Sequence, residues 1–178
     1  MKTTILKNGE SLTIREAKEN DAQAIIEFIK AVGDESDNLT FSGSEFNMTI
    51  EEEKAIIRDH AEQENQIFVI VFINNELVGQ MNAHASKKPR LRHACELGIS
   101  TRKHHWGKGI ATEMLTYLIE WAKDNPIIRK VNLKSNVSNK KAIALYERMG
   151  FEHEGCHKRD FFLNGEFQDT VSMGLIVD

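Results

Sequence analysis

The segment His105-Trp106-Gly107-Lys108-Gly109-Ile110-Ala111-Thr112 carries the residue types and spacing most suited to chemistry in this 178-residue chain. Two glycines one residue apart permit a tight turn and let a ligand approach the main chain. Ile110, Met114, Leu115, Leu118, Trp121 and Ala122 follow at helical spacing. The first amides of such a helix are unpaired donors backed by the positive end of the helix dipole, which suits a phosphate. Arg102, Lys103, His104, His105 and Lys108 surround the turn, in a chain whose formal charge is −4. The P-loop pattern fails, because Arg102 occupies the earlier glycine position and Gly109 is followed by Ile110. The dinucleotide fingerprint fails too: Thr112 stands where it needs glycine, and no βαβ unit opens the chain.

Other reactive groups point nowhere as sharply. Cys95 and Cys156 lack C-x-x-C spacing, and no histidine or helix terminus is clearly placed to activate either as a nucleophile. Among seven histidines, His104 and His105 are adjacent, but neighbours on a strand or loop do not usually point to one ion. There is no H-E-x-x-H and no cysteine cluster, so no metal is expected.

The elements that must position the glycine turn follow from periodicity. Ser11 to Glu16 reads as a strand. Asn20 and Gln23 pattern as a capping pair for a first helix closing near Gly33, and Thr49 with Glu52 as a capping box for a second running to about Glu62. Residues 34–48 read as a loop or short helix over a cleft. Ile67 to Ile73, Glu76 to His84 and Arg92 to Ser100 are strands, followed by a helix over Lys108 to Lys123 and a strand over Lys130 to Ser135. Ser138 is placed to cap a helix that Gly150 ends. Residues 151–162 and 166–176 form a closing hairpin about Asn164-Gly165, a type I′ signal. The fold class is α/β (α+β): a mixed, mostly antiparallel seven-stranded sheet with helices on both faces, in a single domain over 1–178.

Composition narrows the field. With 40% hydrophobic and 28% charged residues, the chain has the material for one well-formed core. Mild acidity gives no general attraction to nucleic acid or anionic membrane. No apolar run is long enough to span a bilayer, and the first residues lack a signal peptide's apolar stretch, so a cytoplasmic location is expected.

The sequence resembles the GCN5-related N-acetyltransferase (GNAT) superfamily over nearly its whole length. Its pyrophosphate motif, Gln/Arg-x-x-Gly-x-Gly/Ala, falls on His104 to Gly109, with His104 departing from the pattern. Its second motif falls on NKKAIALYERMGF: Asn139, Ala142, Leu145, Tyr146, Gly150 and Phe151. The ending resembles the branch that includes ribosomal-protein and polyamine acetyltransferases. The resemblance implies an acyl-CoA N-acyltransferase fold that binds acetyl-CoA. The pyrophosphate would meet His104, His105, Trp106, Gly107, Lys108 and Gly109, with Ala111 and Thr112. The pantetheine arm would pair with backbone near Ile99 and Thr101, and Asn139 would touch it near the cysteamine. It implies Glu96 as general base and Tyr146 as the acid that protonates the departing thiolate. Glu35, Glu45 and His84 are the alternative bases.

An attacking amine must be neutral. A lysine-like amine with a pKa of about 10.4 is free base in roughly one molecule in 2,500 at pH 7, a penalty of about 4.6 kcal/mol; an α-amine near 7.8 pays only about 1 kcal/mol. The acceptor is expected to be an amine-bearing small molecule or a protein N-terminus, lying between the helix 1–helix 2 region (Glu35, Asp37, Phe41, Glu45) and the C-terminal hairpin (Arg159, Asp160, Phe161, Phe162, Asp169). A homodimer is expected, paired through the hairpin strands.

Overall fold

The structure is a computed structural model that describes residues 1–178. Its elements run β1 (Lys2–Ile5), β2 (Ser11–Glu16), α1 (Ala22–Glu35), α2 (Ile50–Glu62), β3 (Ile67–Ile73), β4 (Glu76–Ala85), β5 (Ala94–Thr101), α3 (Ile110–Asp124), β6 (Lys130–Asn136), α4 (Lys140–Arg148), β7 (Glu152–Leu163) and β8 (Glu166–Ile176). One sheet takes the order β1-β2-β3-β4-β5-β6-β8-β7. It has eight strands, one more than the sequence pattern predicts. The addition is β1, whose four residues pair antiparallel with Ser11–Ile14 at the sheet's edge.

Burial sorts the helices onto two faces. Ile67, Val69, Val71 and Ile73 of β3 join the larger core with Met114, Leu115 and Leu118 of α3 and Ile143 and Tyr146 of α4. Phe68 and Ile70 point the other way, to Ile25, Phe28 and Ile29 of α1 and Ile57 of α2. β3 is therefore an almost wholly apolar run because it is covered on both sides.

Local signals hold unevenly. Thr49 and Glu52 do form a capping box, Glu52 N–H donating to Thr49 Oγ1 (3.3 Å) and Thr49 N–H to Glu52 Oε2 (2.8 Å). Asn20 and Gln23 do not cap α1. Asn20 sits in a single 3-10 turn, the N-cap is Asp21, and the Asp21 carboxylate is taken by Arg15 and the Lys18 amide. α1 does close near Gly33. It continues to Glu35, and Gly33 is kept small because a Cβ there would lie 2.8 Å from the Gly43 amide nitrogen. Asn139 rather than Ser138 caps α4. Asn164 and Gly165 have φ of 51° and 82°, the left-handed pair a type I′ turn needs.

The feature that matters most for function lies at the only parallel pairing. β5 and β6 are joined through α3 and pair over just Ala94–Glu96 against Lys130–Asn132. Beyond Glu96 they part, while β5 stays paired to β4 out to Thr101 and β6 to β8 out to Asn136. A wedge-shaped opening results, with one unpaired strand edge on each side. No register break marks β5 against β4 along this stretch. A register shift does occur in the β3–β4 pair, between Val71 and Phe72.

Candidate active site

The wedge opens into a cleft of about 820 Å³. Its walls include Ile99 and Thr101 of β5, His105, Trp106, Gly107, Gly109, Ala111 and Thr112 of the following turn and helix, Leu133 and Ser135 of β6, and Asn139 and Tyr146. Ser36, Asn38, Leu39 and Thr40 border it, so the irregular stretch after α1 does lie over a cleft.

At the α3 end the main chain is arranged for an anion. Gly107 and Gly109 have φ of 78° and 90°, and Gly109 is the left-handed residue immediately before α3. An L side chain would be strained at either position, although the space beside each is open. The amides of Gly107, Gly109, Ile110, Ala111 and Thr112 have no hydrogen-bond partner within the protein outside the helix's own ladder, whose first turn cannot supply one. Five donors thus converge at the positive end of a 15-residue helix.

The turn is held from outside the sheet. Glu35 accepts from Arg102 Nε (2.9 Å) and from the Lys103 amide (2.7 Å). Burial opposes the charge on Glu35, but these two donors outweigh it and its pKa falls below the ordinary value. Trp106 Nε1 donates to the Thr101 carbonyl (3.1 Å), closing the turn back onto β5. The His104 and Lys108 side chains do not line the cleft. His104 Nε2 lies 3.0 Å from Glu76, and Lys108 Nζ lies 3.1 Å from His105 Nδ1 and 3.2 Å from Glu10. The two adjacent histidines, expected to diverge, approach to 4.2 Å between ring centres and share Glu76.

Tyr146 is buried in the larger core, edge-on to Phe151 at 5.9 Å, and reaches the cleft floor beneath the wedge. Burial pushes its hydroxyl up to about 12, so it remains protonated at any physiological pH. The Asn139 Oδ1 accepts from the Ala142 amide at the start of α4, which leaves its Nδ2 free to face the cleft. Glu96 sits on the opposite side of the sheet from Tyr146. Strand alternation sends Cys95 and Leu97 into the α3–α4 core and Glu96 and Gly98 outward, towards the α1–α2 face. Glu96 stands across from His84 on β4 and Asn132 on β6 at the very point where the wedge begins. It is exposed, yet partial desolvation raises its pKa, with Lys134 pulling the other way. It borders the mouth rather than the cleft walls.

The alternative bases are otherwise engaged. Glu35 is spent on Arg102. The Glu45 carboxylate takes the Ser42 amide and hydroxyl, which lower its pKa. His84 Nδ1 lies 3.0 Å from Gln66 Oε1. Sequence reasoning missed Lys134, Lys141 and Arg148, which add positive charge to the cleft. The last two had a signal: Lys141, Leu145 and Arg148 recur at helical spacing beside Tyr146. It also missed Glu53, which is 2% exposed on α2 and whose carboxyl burial pushes up to about 7.

Comparison with known proteins places the fold. Residues 34–151 match the model of the Acetyltransferase (GNAT) family. An acetyltransferase of the GNAT family from Streptococcus pneumoniae superposes with a TM-score of 0.91 at 32% identity, over 94% of this chain and 99% of that one. The spermidine N(1)-acetyltransferase of Vibrio cholerae is 29% identical over 120 residues, 67% of this chain and 66% of that protein. The [ribosomal protein uS5]-alanine N-acetyltransferase of Escherichia coli is 34% identical over 83 residues, 47% of this chain and 43% of that enzyme.

The chain belongs to the GNAT family. It is an N-acetyltransferase with the mixed, mostly antiparallel sheet of that fold, and acetyl-CoA is the cosubstrate typical of its family. No helix is long and apolar enough to cross a membrane.

Proposed function

We propose that the chain transfers an acetyl group from acetyl-CoA to a single primary amine by direct attack in a ternary complex. The observation that carries this reading is the wedge between β5 and β6, with five unpaired amides at one end and Tyr146 beneath it. The amides of Gly107 and Gly109 to Thr112 receive the diphosphate. The open edge of β5 near Ile99 and Thr101 pairs with the extended pantetheine arm, as an added strand would. Asn139 Nδ2 donates to that arm, and a backbone N–H near Ile99 meets the oxyanion as it forms.

Proton traffic divides between the two faces of the sheet. On the α1–α2 side, Glu96 takes the amine's proton, directly or through water; its raised pKa suits it to the task. On the other side, the Tyr146 hydroxyl gives a proton to the departing sulfur. Burial keeps that hydroxyl protonated, so its proton is available when the sulfur departs.

The acid groups nominated for the acceptor favour a monoamine over a polyamine. Four of the five are occupied, Glu35, Glu45, Asp160 and Asp169, by Arg102, Ser42, Lys134 with Thr170, and Lys158; the fifth, Asp37, is exposed on the stretch after α1. At the start of the wedge Glu96 is left to attract one cationic centre, with Asp37 the other unengaged carboxylate of the set. An α-amine, whether of a small molecule or a protein N-terminus, also pays less for deprotonation. A homodimer could form at β7, the exposed outer strand; β8 is paired on both sides and offers no edge.

Thiol release from acetyl-CoA, followed with a panel of α-amines, polyamines and N-terminal peptides, tests the reading. Release with α-amines, and loss of the acidic limb of the pH–rate profile in Glu96→Gln, supports it. Tight acetyl-CoA binding with no amine-dependent release would instead mark a silent binding module.

A further inference from the structure

Glu76, His104 and His105 meet outside the reaction wedge. Their ligating atoms all lie within 4.8 Å of one another. His104 Nε2 is 3.0 Å from Glu76 Oε1 and His105 Nε2 is 3.5 Å from Glu76 Oε2. His105 is 6% exposed, and its Nε2 is a buried nitrogen with no hydrogen-bond partner. A buried, unpaired imidazole nitrogen facing a carboxylate is costly unless something else binds there.

We infer that these three side chains form a binding site for a borderline transition-metal cation such as Zn²⁺. Two imidazoles and one carboxylate are a nitrogen–oxygen set that suits zinc, cobalt and nickel, not calcium or magnesium. A tetrahedral ion with bonds of about 2.1 Å needs ligand atoms roughly 3.4 Å apart. The observed separations bracket that value, so small side-chain rotations complete the set. Three protein ligands leave the fourth position to solvent, on the side where His104 and Glu76 are half exposed.

The proton balance is simple. Lys108 Nζ faces His105 Nδ1 at 3.1 Å, which assigns the ring proton to Nε2. A metal on Nε2 needs the other tautomer. The proton moves to Nδ1, and Lys108 turns wholly to Glu10, already 3.2 Å away. The nearby ammonium weakens the site, so binding is moderate rather than of structural-zinc strength. A bound ion ties the turn before β4, at Asn74-Asn75, to the loop that carries the cradle amides. His105 belongs to both places, since it also lines the cleft.

The test uses the full chain, stripped of metal and free of acetyl-CoA, so its outcome is independent of the proposed reaction. Titration with Zn²⁺ alone should bind one equivalent and raise the melting temperature. Co²⁺ should give the intense visible bands of a four-coordinate site. Glu76→Gln and His104→Gln, both at half-exposed positions, should weaken Zn²⁺ binding at least about tenfold and abolish the Co²⁺ bands. His153→Gln, which breaks the other surface histidine–glutamate pair, with Glu147, should change neither. The inference is overturned if the wild type binds no Zn²⁺, if either ligand variant binds it as the wild type does, or if His153→Gln alone removes the binding.

Discussion

Glu35, the last residue of α1, grips the start of the glycine turn twice, through the Arg102 guanidinium and the Lys103 amide. A helix on one face of the sheet thereby sets the loop that leads to a helix on the other. Glu35→Ala should raise the KM for acetyl-CoA roughly 5- to 20-fold with kcat little changed, since the loop loses its anchor and the reacting groups do not. The pH dependence has a definite sign. The folded pKa of Glu35 is lowered, so its contribution to stability is present above the ordinary carboxylate value and lost as pH falls through the folded one. Melting curves from pH 6 down to pH 3 should drop more steeply for the wild type than for Glu35→Ala.

Gly109→Ala places a Cβ on a residue with φ of 90°. Nothing lies within 4 Å of that Cβ, so the cost is conformational, about 1–2 kcal/mol, and the turn relaxes to escape it. Calorimetry should find acetyl-CoA bound at least about tenfold more weakly. Unchanged affinity would mean that the amides before α3 do not hold the diphosphate.

Tyr146→Phe keeps the ring that packs on Phe151 and removes only the hydroxyl. Steady-state kinetics should show kcat lowered roughly 10- to 1000-fold, with acetyl-CoA affinity and melting temperature nearly those of the wild type. A kcat equal to the wild type's would take this residue out of the chemistry.

Glu53 supplies the opposite pH signature to Glu35. Burial raises its pKa to about 7, and one carboxyl oxygen has no partner. With the folded pKa above the ordinary value, its contribution is complete below about pH 4 and is lost as pH rises through about 7. Glu53→Gln should therefore melt roughly 2–8 °C higher than the wild type at pH 8 and close to it at pH 5. Parallel melting curves for the two proteins across that range would count against a buried, uncompensated carboxyl.

Local patterns spoke clearly where one short stretch of chain decides the outcome. The glycine spacing at 107 and 109, the Thr49–Glu52 box and the Asn164-Gly165 turn all depend on neighbours in sequence, and all were legible. β1 was not, because four residues at an edge, alternating half-buried and exposed, carry too little apolar signal. Glu53 was hidden inside a run of three glutamates that reads as a solvated helix start; only the packing of α2 on the sheet removes one of them from water. The histidine–glutamate cluster could not be foreseen from adjacency alone, since Glu76 is 28 residues from His104 and only the sheet's topology brings them together. The run of unpaired amides was readable because backbone conformation made it; the engagement of Glu35, Asp160 and Asp169 was not, because their partners come from other parts of the chain.

The brevity of the β5–β6 ladder has a mechanical corollary. Along that seam the backbone ladder between the first five strands and the last three is short: three residue pairs, with the His93 carbonyl accepting from the Arg129 and Lys130 amides just before them. A molecule lying in the fork acts as a suture between the two halves, so occupancy and stiffening become one event. Amide exchange along Leu133–Asn136 and Ile99–Thr101 should slow together when the guest arrives, and quicken together when the product leaves.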